Sequence, residues 1–224
     1  IQRAFRHYLG PEVIEQILSD PSRLRLGGEK RVLTIFFSDI EKFSAFSERL
    51  DPPELTRLLN EYLTAMGRAI LDQGGYVDKY IGDAIVAFWN APLEQPDHAR
   101  RAVMAALECQ RILAAHREKW ASDFGAQIHM RIGLNTGEAV VGNMGSEERF
   151  NYTVLGDAAN LASRLEGANK FFGTYTMAAD SVRQAAGDGF VWRRLGRIRV
   201  VGRQTPVTVW EPLGLDGAAA PDWL

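Results

Sequence analysis

Two aspartates beside strand-like segments are the residues whose type and spacing most suggest chemistry. Asp39 ends the apolar run RVLTIFFSD, and Asp83 stands in a Gly-Asp pair between two further apolar runs, which predicts a two-residue hairpin turn. If the first strand lies beside the leading strand of this hairpin, the two carboxylates come within reach of each other. They would then repel unless a cation separates them. Oxygen ligands without nearby His or Cys favour Mg²⁺ or Mn²⁺.

Each aspartate also has an ordinary interpretation. Asp is common both at strand ends and in turns, so neither Asp39 nor Asp83 indicates a site when taken singly. The segment IEKFS after Asp39 would turn backbone amides toward a phosphate if it begins a helix. Only the combination of these amides with a paired-Asp metal site describes a site for a triphosphate.

Three further polar residues lie on strand or helix faces where either a structural role or a functional role is possible. Lys79 alternates with Val77 and Ile81, so its ammonium shares a face with apolar neighbours. It either extends to the strand edge or reaches a polar partner across an interface. Asn160 and Arg164 are four residues apart and share one helix face. They either hold a ribose and a phosphate or form solvated surface.

Hydrophobic periodicity predicts the elements that must position these residues. The run from Arg31 predicts a buried strand, and residues 51–75, which begin with Asp-Pro and end with Gly, predict a helix. Two strands flank Gly82-Asp83, residues 96–120 predict a second amphipathic helix, and residues 126–137 predict a strand that leads into a turn. The order β-α-β-β-α-β is that of a ferredoxin-like unit, so the fold class is α+β.

Shorter elements follow this core. Residues 138–144 predict a hairpin strand and residues 158–170 a helix, followed by mixed short strands and helices. We expect residues 1–30 to be a helical connector, residues 31–211 the functional domain, and the Gly/Ala/Pro-rich residues 212–224 a flexible tail.

Composition limits the class of protein. The 224 residues are 46% hydrophobic, which suits one large soluble domain, and a net charge of −2 argues against a nucleic-acid-binding surface. The single cysteine, Cys109, cannot form an internal disulfide and fits a reducing, cytoplasmic compartment. No apolar run approaches the roughly 18 residues of a membrane span. Because the chain lacks an initiator Met, we expect a fragment whose sensor or membrane region lies upstream.

Four motifs, in this order, resemble the catalytic domain of the class III nucleotidyl cyclases: FFSDIEKFS, DKYIGDAIVAFW, MRIGLNTGEAVVGNMG and YTVLGDAANLASRLE. The resemblance covers about residues 31–211. It implies a ferredoxin-like core with additions and a homodimer whose active sites combine residues of both chains. It also implies conversion of ATP to 3′,5′-cyclic AMP and pyrophosphate, with two Mg²⁺ or Mn²⁺ ions at each site.

The resemblance assigns metal and phosphate contacts by position. Asp39 and Asp83 match the metal-binding aspartates, and the backbone at Ile40 is a further metal contact. The amides around Phe43 and Ser44 match the turn that contacts the phosphates.

The resemblance assigns base, ribose and further phosphate contacts in the same way. Lys79 and Thr153 match the base-reading pair, and Asn160 and Arg164 match the residues that position the ribose and stabilise the transition state. Two further basic contacts to phosphate are expected at Arg203, within VVGRQTP, and at Arg149.

Base choice follows from matching donors to acceptors. Lys79 can donate to N1 of adenine and Thr153 can accept from the 6-amino group, whereas guanine would favour Glu at position 79. Lys79 therefore favours ATP. Many adenylyl cyclases have Asp where this chain has Thr153, and a hydroxyl can also donate, so some GTP turnover stays open. Thr at this position also marks a subgroup that often responds to bicarbonate.

Three alternatives remain beside an adenylyl cyclase. A guanylyl cyclase would carry Glu in place of Lys79, and a catalytically silent cyclase-like module tends to lose a metal Asp or the Arg that is present here as Arg164. A diguanylate cyclase or polymerase palm shares the core fold but should carry a Gly-Gly-Asp/Glu-Glu-Phe type turn, which the Ile-Gly-Asp-Ala segment at residues 81–84 is not.

Overall fold

A computed structural model describes residues 26–125, 127–200 and 205–218 as a mixed sheet of eight strands with five helices. The sheet order is β2-β3-β1-β4-β6-β8-β7, and β5 pairs with β4. In chain order the elements are β1 (Gly27–Ile40), α1 (Phe43–Ser47), α2 (Pro52–Asp72), β2 (Tyr76–Ile81), β3 (Ala84–Trp89), α3 (His98–Phe124), β4 (Met130–Gly145), β5 (Phe150–Leu155), α4 (Asp157–Phe172), β6 (Thr176–Ala179), α5 (Asp180–Ala186), β7 (Phe190–Ile198) and β8 (Val207–Leu215).

The first half of the chain forms the predicted ferredoxin-like core. Strands β2, β3, β1 and β4 are neighbours in that order, each antiparallel to the next, and α2 and α3 are the two crossing helices. The predicted α+β fold class is therefore confirmed.

Alternation along β1 divides its side chains between the two faces of the sheet. Phe36 and Ile40 belong to the large buried cluster under α2 and α3. Ile35 and Phe37 belong to a second cluster, on the opposite face, to which Ala162 of α4 also contributes. Asp39 alternates with the second set, so its carboxylate emerges on the face that α4 covers.

Helix α2 begins at the predicted Asp-Pro signal, whereas α3 (His98–Phe124) extends one turn beyond the predicted residues 96–120. The Asp51 side chain caps α2 by accepting from the Glu54 amide at 2.8 Å, and Pro occupies the first turn. Helix α3 ends before Gly125, which has φ 64°, a left-handed conformation that glycine adopts without steric cost. None of the helices in the described ranges has the length and apolar character of a membrane span.

Two sequence-based expectations about the strands were wrong. The partner of β1 is β3, the trailing strand of the hairpin, and β2 lies outside it at the sheet edge. The turn expected near residue 137 is absent, because β4 continues along β1 through the Thr34–Thr136 and Leu33–Gly137 pairs. Asn135, a residue typical of turns, instead donates from its side chain to the Ala158 carbonyl at 3.0 Å.

The proposed domain boundaries shift at both ends of the functional domain. Strand β1 begins at Gly27, so residues 27–30 belong to the sheet and not to a connector. Strand β8 extends to Leu215, which removes residues 212–215 from the expected tail. The rest of the connector, residues 1–25, and residues 219–224 of the tail lie outside the described residues.

Helix α4 lies against β4 at a point where only glycine fits. A Cβ on Gly133 would come within 2.1 Å of the Ala162 carbonyl oxygen and 2.3 Å of the Glu166 amide nitrogen. Both contacts are with backbone that cannot rotate away, so any side chain here would separate the helix from the sheet.

We predict that Gly133→Ala lowers the free energy of unfolding by about 1–3 kcal/mol, the usual cost of overpacking. Urea denaturation measures this. The matched control is Gly167→Ala in α4, where an added Cβ meets nothing within 4 Å. That control should stabilise the helix by up to about 1 kcal/mol, because alanine is the better helix former. Equal effects of both substitutions would contradict the close approach.

Candidate active site

Asp39 and Asp83 converge at one end of the sheet. Asp83 lies in the turn between β2 and β3, and the pairing of Ser38 with Ile85 brings this turn to the end of β1. The Ile40 amide donates to Asp83 Oδ2 at 2.9 Å, and the Asp39 carboxyl is close enough to raise the pKa of Asp83. The sequence predicted this meeting of Asp39 and Asp83, which we call the carboxylate pair, although through the wrong neighbouring strand.

The electrostatics of the carboxylate pair favour a cation. Burial and the adjacent Asp39 carboxyl together raise the pKa of Asp83 to about 7, although the Ile40 amide opposes the shift. A divalent cation would remove the cause of this repulsion, and Mg²⁺ sites commonly use one or two carboxylates with water and substrate phosphates. No group of three or more His, Cys, Asp or Glu side chains is arranged to hold a metal ion in the described ranges. The carboxylate pair and the backbone of Ile40 therefore fit an ion completed by other oxygen ligands.

An arginine that the sequence reasoning did not single out lies beside the carboxylate pair. Arg131 is the cross-strand partner of Asp39 in the β1–β4 ladder. Its Nε donates to Glu166 Oε1 of α4 at 3.1 Å, and both side chains are largely buried. The sequence predicted the strand that carries Arg131 but not its register against β1, and only this register reveals the neighbour.

Lys79 and Thr153, the predicted base-reading pair, contact each other within one chain. Lys79 Nζ donates to Thr153 Oγ1 at 3.0 Å. The Lys79 side chain is 43% exposed, so it does not lie in the chain's own core. Strand β2 is buried at Tyr76 and exposed from Lys79 onward, which explains how the strand carries an ammonium group without the cost of burying it.

The path of β5 brings Thr153 to Lys79 although two strands separate β2 from β4. Strand β5 pairs with the last six residues of β4. Tyr152 packs its ring edge-on against Tyr76, with centroids 5.5 Å apart, and also lies near the Phe88 ring. The β4–β5 hairpin therefore curls over the face opposite α2 and α3, and it reaches the edge strand on that side.

Asn160 and Arg164 share one face of α4, while Leu161 and Leu165 are buried on another, as predicted. Asn160 is exposed and Arg164 is half-buried. Neither side chain has a hydrogen bond or ion pair within the described parts of the chain, so both remain available for a ligand. Asn169 fixes the helix by donating to the Ile132 carbonyl at 2.9 Å.

The structure gives less information on the other residues that were predicted to contact phosphate. Phe43 and Ser44 begin the five-residue helix α1, shortly after Asp39 in the chain. Arg149 lies at the tip of the β4–β5 hairpin, where its backbone bonds to Ser146. Arg203 falls outside the described residues. No hydrogen bond or ion pair in the described ranges joins the carboxylate pair to the base-reading pair, to Asn160 or to Arg164.

The fold and the order of these groups are those of a nucleotide cyclase catalytic domain. The chain belongs to the family described as "Adenylate and Guanylate cyclase catalytic domain", which matches residues 28–211.

Two curated relatives are adenylate cyclases. Adenylate cyclase 1 of Rhizobium meliloti (strain 1021) is 34% identical over 83% of this chain, and the adenylate cyclase of Anabaena cylindrica is 34% identical over 81% of it. The matched region spans only 28% and 36% of the length of these two relatives.

Solved structures of both kinds of cyclase are similar to this chain. The adenylyl cyclase CyaB from P. aeruginosa is 32% identical with a TM-score of 0.79, covering 89% of this chain and 100% of that one. The guanylyl cyclase Cya2 is 35% identical with a TM-score of 0.77, covering 86% of this chain and 96% of that one. Overall similarity therefore does not distinguish ATP from GTP.

The raised pKa of Asp83 makes the stability of the metal-free protein depend on pH. The unfolded carboxyl releases its proton near 3.8 and the folded one near 7, so stability should fall as pH rises through this window. We predict that Asp83→Asn raises Tm at pH 8, by about 2–4 °C for each kcal/mol relieved, and has no such effect near pH 4.

Thermal unfolding with and without Mn²⁺ tests the origin of this effect. Mn²⁺ should raise Tm of the unsubstituted protein at pH 8 and not that of the Asp83→Asn variant, because the variant lacks one of the two carboxylates. Asp216→Asn, in an exposed turn after β8, is the control and should respond to Mn²⁺ as the unsubstituted protein does. An equal response of the Asp83→Asn variant would contradict a cation site at the carboxylate pair.

Proposed function

We propose that this domain is an adenylyl cyclase, which converts ATP to 3′,5′-cyclic AMP and pyrophosphate at two sites shared between two copies of the chain. The observation that carries this proposal is that the carboxylate pair and the base-reading pair are separate within one chain. The carboxylate pair would take the metal ions and phosphates, whereas Lys79 and Thr153 match the adenine edge, and no hydrogen bond or ion pair joins the two groups among the residues that the structure describes. Two copies would complete each site.

Asp39, Asp83 and the backbone of Ile40 would hold two Mg²⁺ or Mn²⁺ ions. Bound there, the ions would lower the pKa of the ribose 3′-hydroxyl and neutralise negative charge on the leaving pyrophosphate. The Ile40 amide orients the Asp83 carboxylate through its 2.9 Å hydrogen bond. Arg131, across the ladder from Asp39, is ion-paired with Glu166, and this pair lies beside the carboxylate that would hold the metal.

The reaction forms one bond and breaks one. The ribose 3′-oxygen attacks the α-phosphorus, the bond from that phosphorus to the pyrophosphate oxygen breaks, and the 3′-hydroxyl proton leaves to solvent. Asn160 would hold the ribose so that this oxygen lies within attacking distance. Arg164 would place a fixed positive charge where negative charge gathers in the transition state. Groups of this kind contribute about 2.7–4 kcal/mol, or a factor of ~10²–10³ in rate.

An exposed apolar surface supports a second copy of the chain as the partner. Tyr80 and Ile81, next to Lys79 on the sheet edge, are 48% and 55% exposed. Leu155, two residues after Thr153, is 56% exposed and pairs with the exposed Val140. This surface borders the base-reading pair, and a twofold symmetric contact through it would bring one chain's base-reading pair toward the other chain's carboxylate pair.

The curated relatives extend well beyond the matched region, so we propose that a sensor or membrane segment accompanies this domain in the full-length protein. For the catalytic domain we propose a cytoplasmic location, because ATP is the proposed substrate.

Lys79 distinguishes the adenylyl from the guanylyl function. We predict that the chain, with Mn²⁺, forms cyclic AMP from ATP faster than cyclic GMP from GTP. Lys79→Glu should lower kcat/KM for ATP by at least about tenfold, because the donor to N1 becomes an acceptor that leaves N1 unpaired. Chromatography of the cyclic products measures both rates. A preference for GTP in the unsubstituted chain would favour the guanylyl alternative, and no product from either nucleotide would favour the silent module.

Mixing two inactive variants tests whether sites are shared. Asp39→Ala and Arg164→Ala should each lower cyclic AMP formation by about 10²-fold or more. If chains exchange freely, half of the dimers in an equal mixture are mixed and carry one intact site of two. The mixture should therefore recover about a quarter of the unsubstituted activity.

The control mixes Asp39→Ala with Asp83→Ala. Both substitutions damage the same half of the site, so every combination of these chains leaves both sites broken and no activity should return. Rescue in this control, or none in the first mixture when light scattering shows dimers, would contradict shared sites.

A further inference from the structure

A β-bulge in β2 places a buried carboxylate behind the base-reading pair. Val77 pairs with Ala87 and Lys79 with the adjacent Val86, so Asp78 is an extra residue without its own partner on β3. Regular alternation would put Asp78 and Lys79 on opposite faces, whereas both contact Thr153 here. The bulge therefore turns two successive side chains toward one hydroxyl.

Asp78 takes the only proton that the Thr153 hydroxyl can donate. Thr153 Oγ1 donates to Asp78 Oδ2 at 2.7 Å and accepts from Lys79 Nζ at 3.0 Å. A hydroxyl has one proton and two lone pairs, so a single acceptor position remains on Thr153. The Lys79 ammonium has three N–H donors and uses one on Thr153, so it can still donate to another partner. It also lies 3.6 Å from Asp78 Oδ1.

The burial of Asp78 indicates more than a packing role. Its side chain is only 1% exposed, and a carboxylate buried to this degree is costly unless it is paired. Burial raises the pKa of Asp78, and the Thr153 hydroxyl and the Lys79 ammonium oppose this shift. Oδ2 accepts the Thr153 proton, whereas Oδ1 has no hydrogen-bond partner among the described residues and only the Lys79 ammonium nearby. An apolar residue would fill the same space in the sheet without the cost of desolvating a charge.

We propose that Asp78 determines base specificity by fixing Thr153 as a hydrogen-bond acceptor toward the nucleotide. This inference rests on the proposed function, in which Lys79 and Thr153 contact the base. The 6-amino group of adenine can donate to the remaining lone pair of Thr153. The O6 atom of guanine needs a donor, and Thr153 could supply one only by giving up its bond to the buried Asp78. A hydroxyl held in this way matches adenine as the Asp of other adenylyl cyclases would.

The test compares ATP with GTP in the Asp78→Asn variant. The amide keeps the size of the carboxyl group and can donate to Thr153 Oγ1, which releases the threonine proton toward the base. We expect kcat/KM for ATP to fall and that for GTP to rise, so that their ratio falls by about tenfold, as for one mismatched hydrogen bond. A loss of packing or folding would lower both rates together and leave the ratio unchanged.

Two further variants show whether Asp78 acts through Thr153. Thr153→Val removes the hydroxyl, so adding Asp78→Asn to it should change the ratio by less than about twofold. Asp123→Asn, in an exposed ion pair on α3, is the matched control for loss of a carboxylate and should leave the ratio unchanged. An equal effect of Asp78→Asn in the presence and absence of the Thr153 hydroxyl would overturn the proposal.

Binding of 3′-deoxy-ATP and 3′-deoxy-GTP with Mn²⁺ separates this inference from the proposed function, because these nucleotides cannot cyclise. A tenfold fall in the ratio of 3′-deoxy-ATP affinity to 3′-deoxy-GTP affinity in the Asp78→Asn variant supports the role of Asp78. This holds even if neither natural nucleotide yields a cyclic product. The lack of product would refute the cyclase proposal alone. Cyclic AMP formation with an unchanged ratio in the variant would refute the role of Asp78 alone. A chain that binds neither nucleotide refutes both.

Discussion

The organisation of this domain depends on two carboxylates that the antiparallel ladder forces together. The β1–β3 register brings the turn that carries Asp83 to the end of β1, and the Ile40 amide keeps the Asp83 carboxylate facing that site. Both strands lie in the interior of the sheet, so the protein cannot relieve the repulsion by moving one carboxylate away, and the pKa of Asp83 rises instead. A cation is the simplest way to make this arrangement favourable, and a nucleotide triphosphate supplies further oxygen ligands for it.

The same hairpin connects the two halves of the proposed chemistry. Asp83 occupies its turn and Lys79 lies four residues earlier on the edge strand, beyond the point where β2 becomes exposed. The β4–β5 hairpin completes the second half by carrying Thr153 across the face of the sheet to Lys79. Because α4 is held to the sheet through Gly133 and Asn169, the positions of Asn160 and Arg164 depend on the strand that also holds Arg131. Changes in β4 should therefore affect every part of the site.

Local signals predicted the parts of this fold that local physics determines. Periodicity, the Asp51 cap and the Gly82-Asp83 turn gave α2, α3 and the β2–β3 hairpin. Features that depend on distant partners were missed: the continuity of β4 comes from its long pairing with β1, which outweighs the turn preference of Asn135.

Asp78 was overlooked for the same reason. A bulge is visible only once the register with β3 is known, and without it Asp78 and Lys79 would point to opposite faces. The resemblance of four motifs to a known family supplied roles for residues, and the structure supplied their neighbours.

In the proposed dimer, Asp39 and Asp83 bind divalent cations beside the nucleotide while a second chain supplies the residues that read the base. Anomalous diffraction at the manganese edge, from crystals grown with Mn²⁺ and 3′-deoxy-ATP, would show both features in one experiment. We expect manganese peaks within about 2.0–2.3 Å of oxygens from both carboxylates, with the adenine against Lys79 and Thr153 of the other chain. Manganese bound elsewhere, or adenine held by Lys79 of the same chain that binds the metal, would contradict this arrangement.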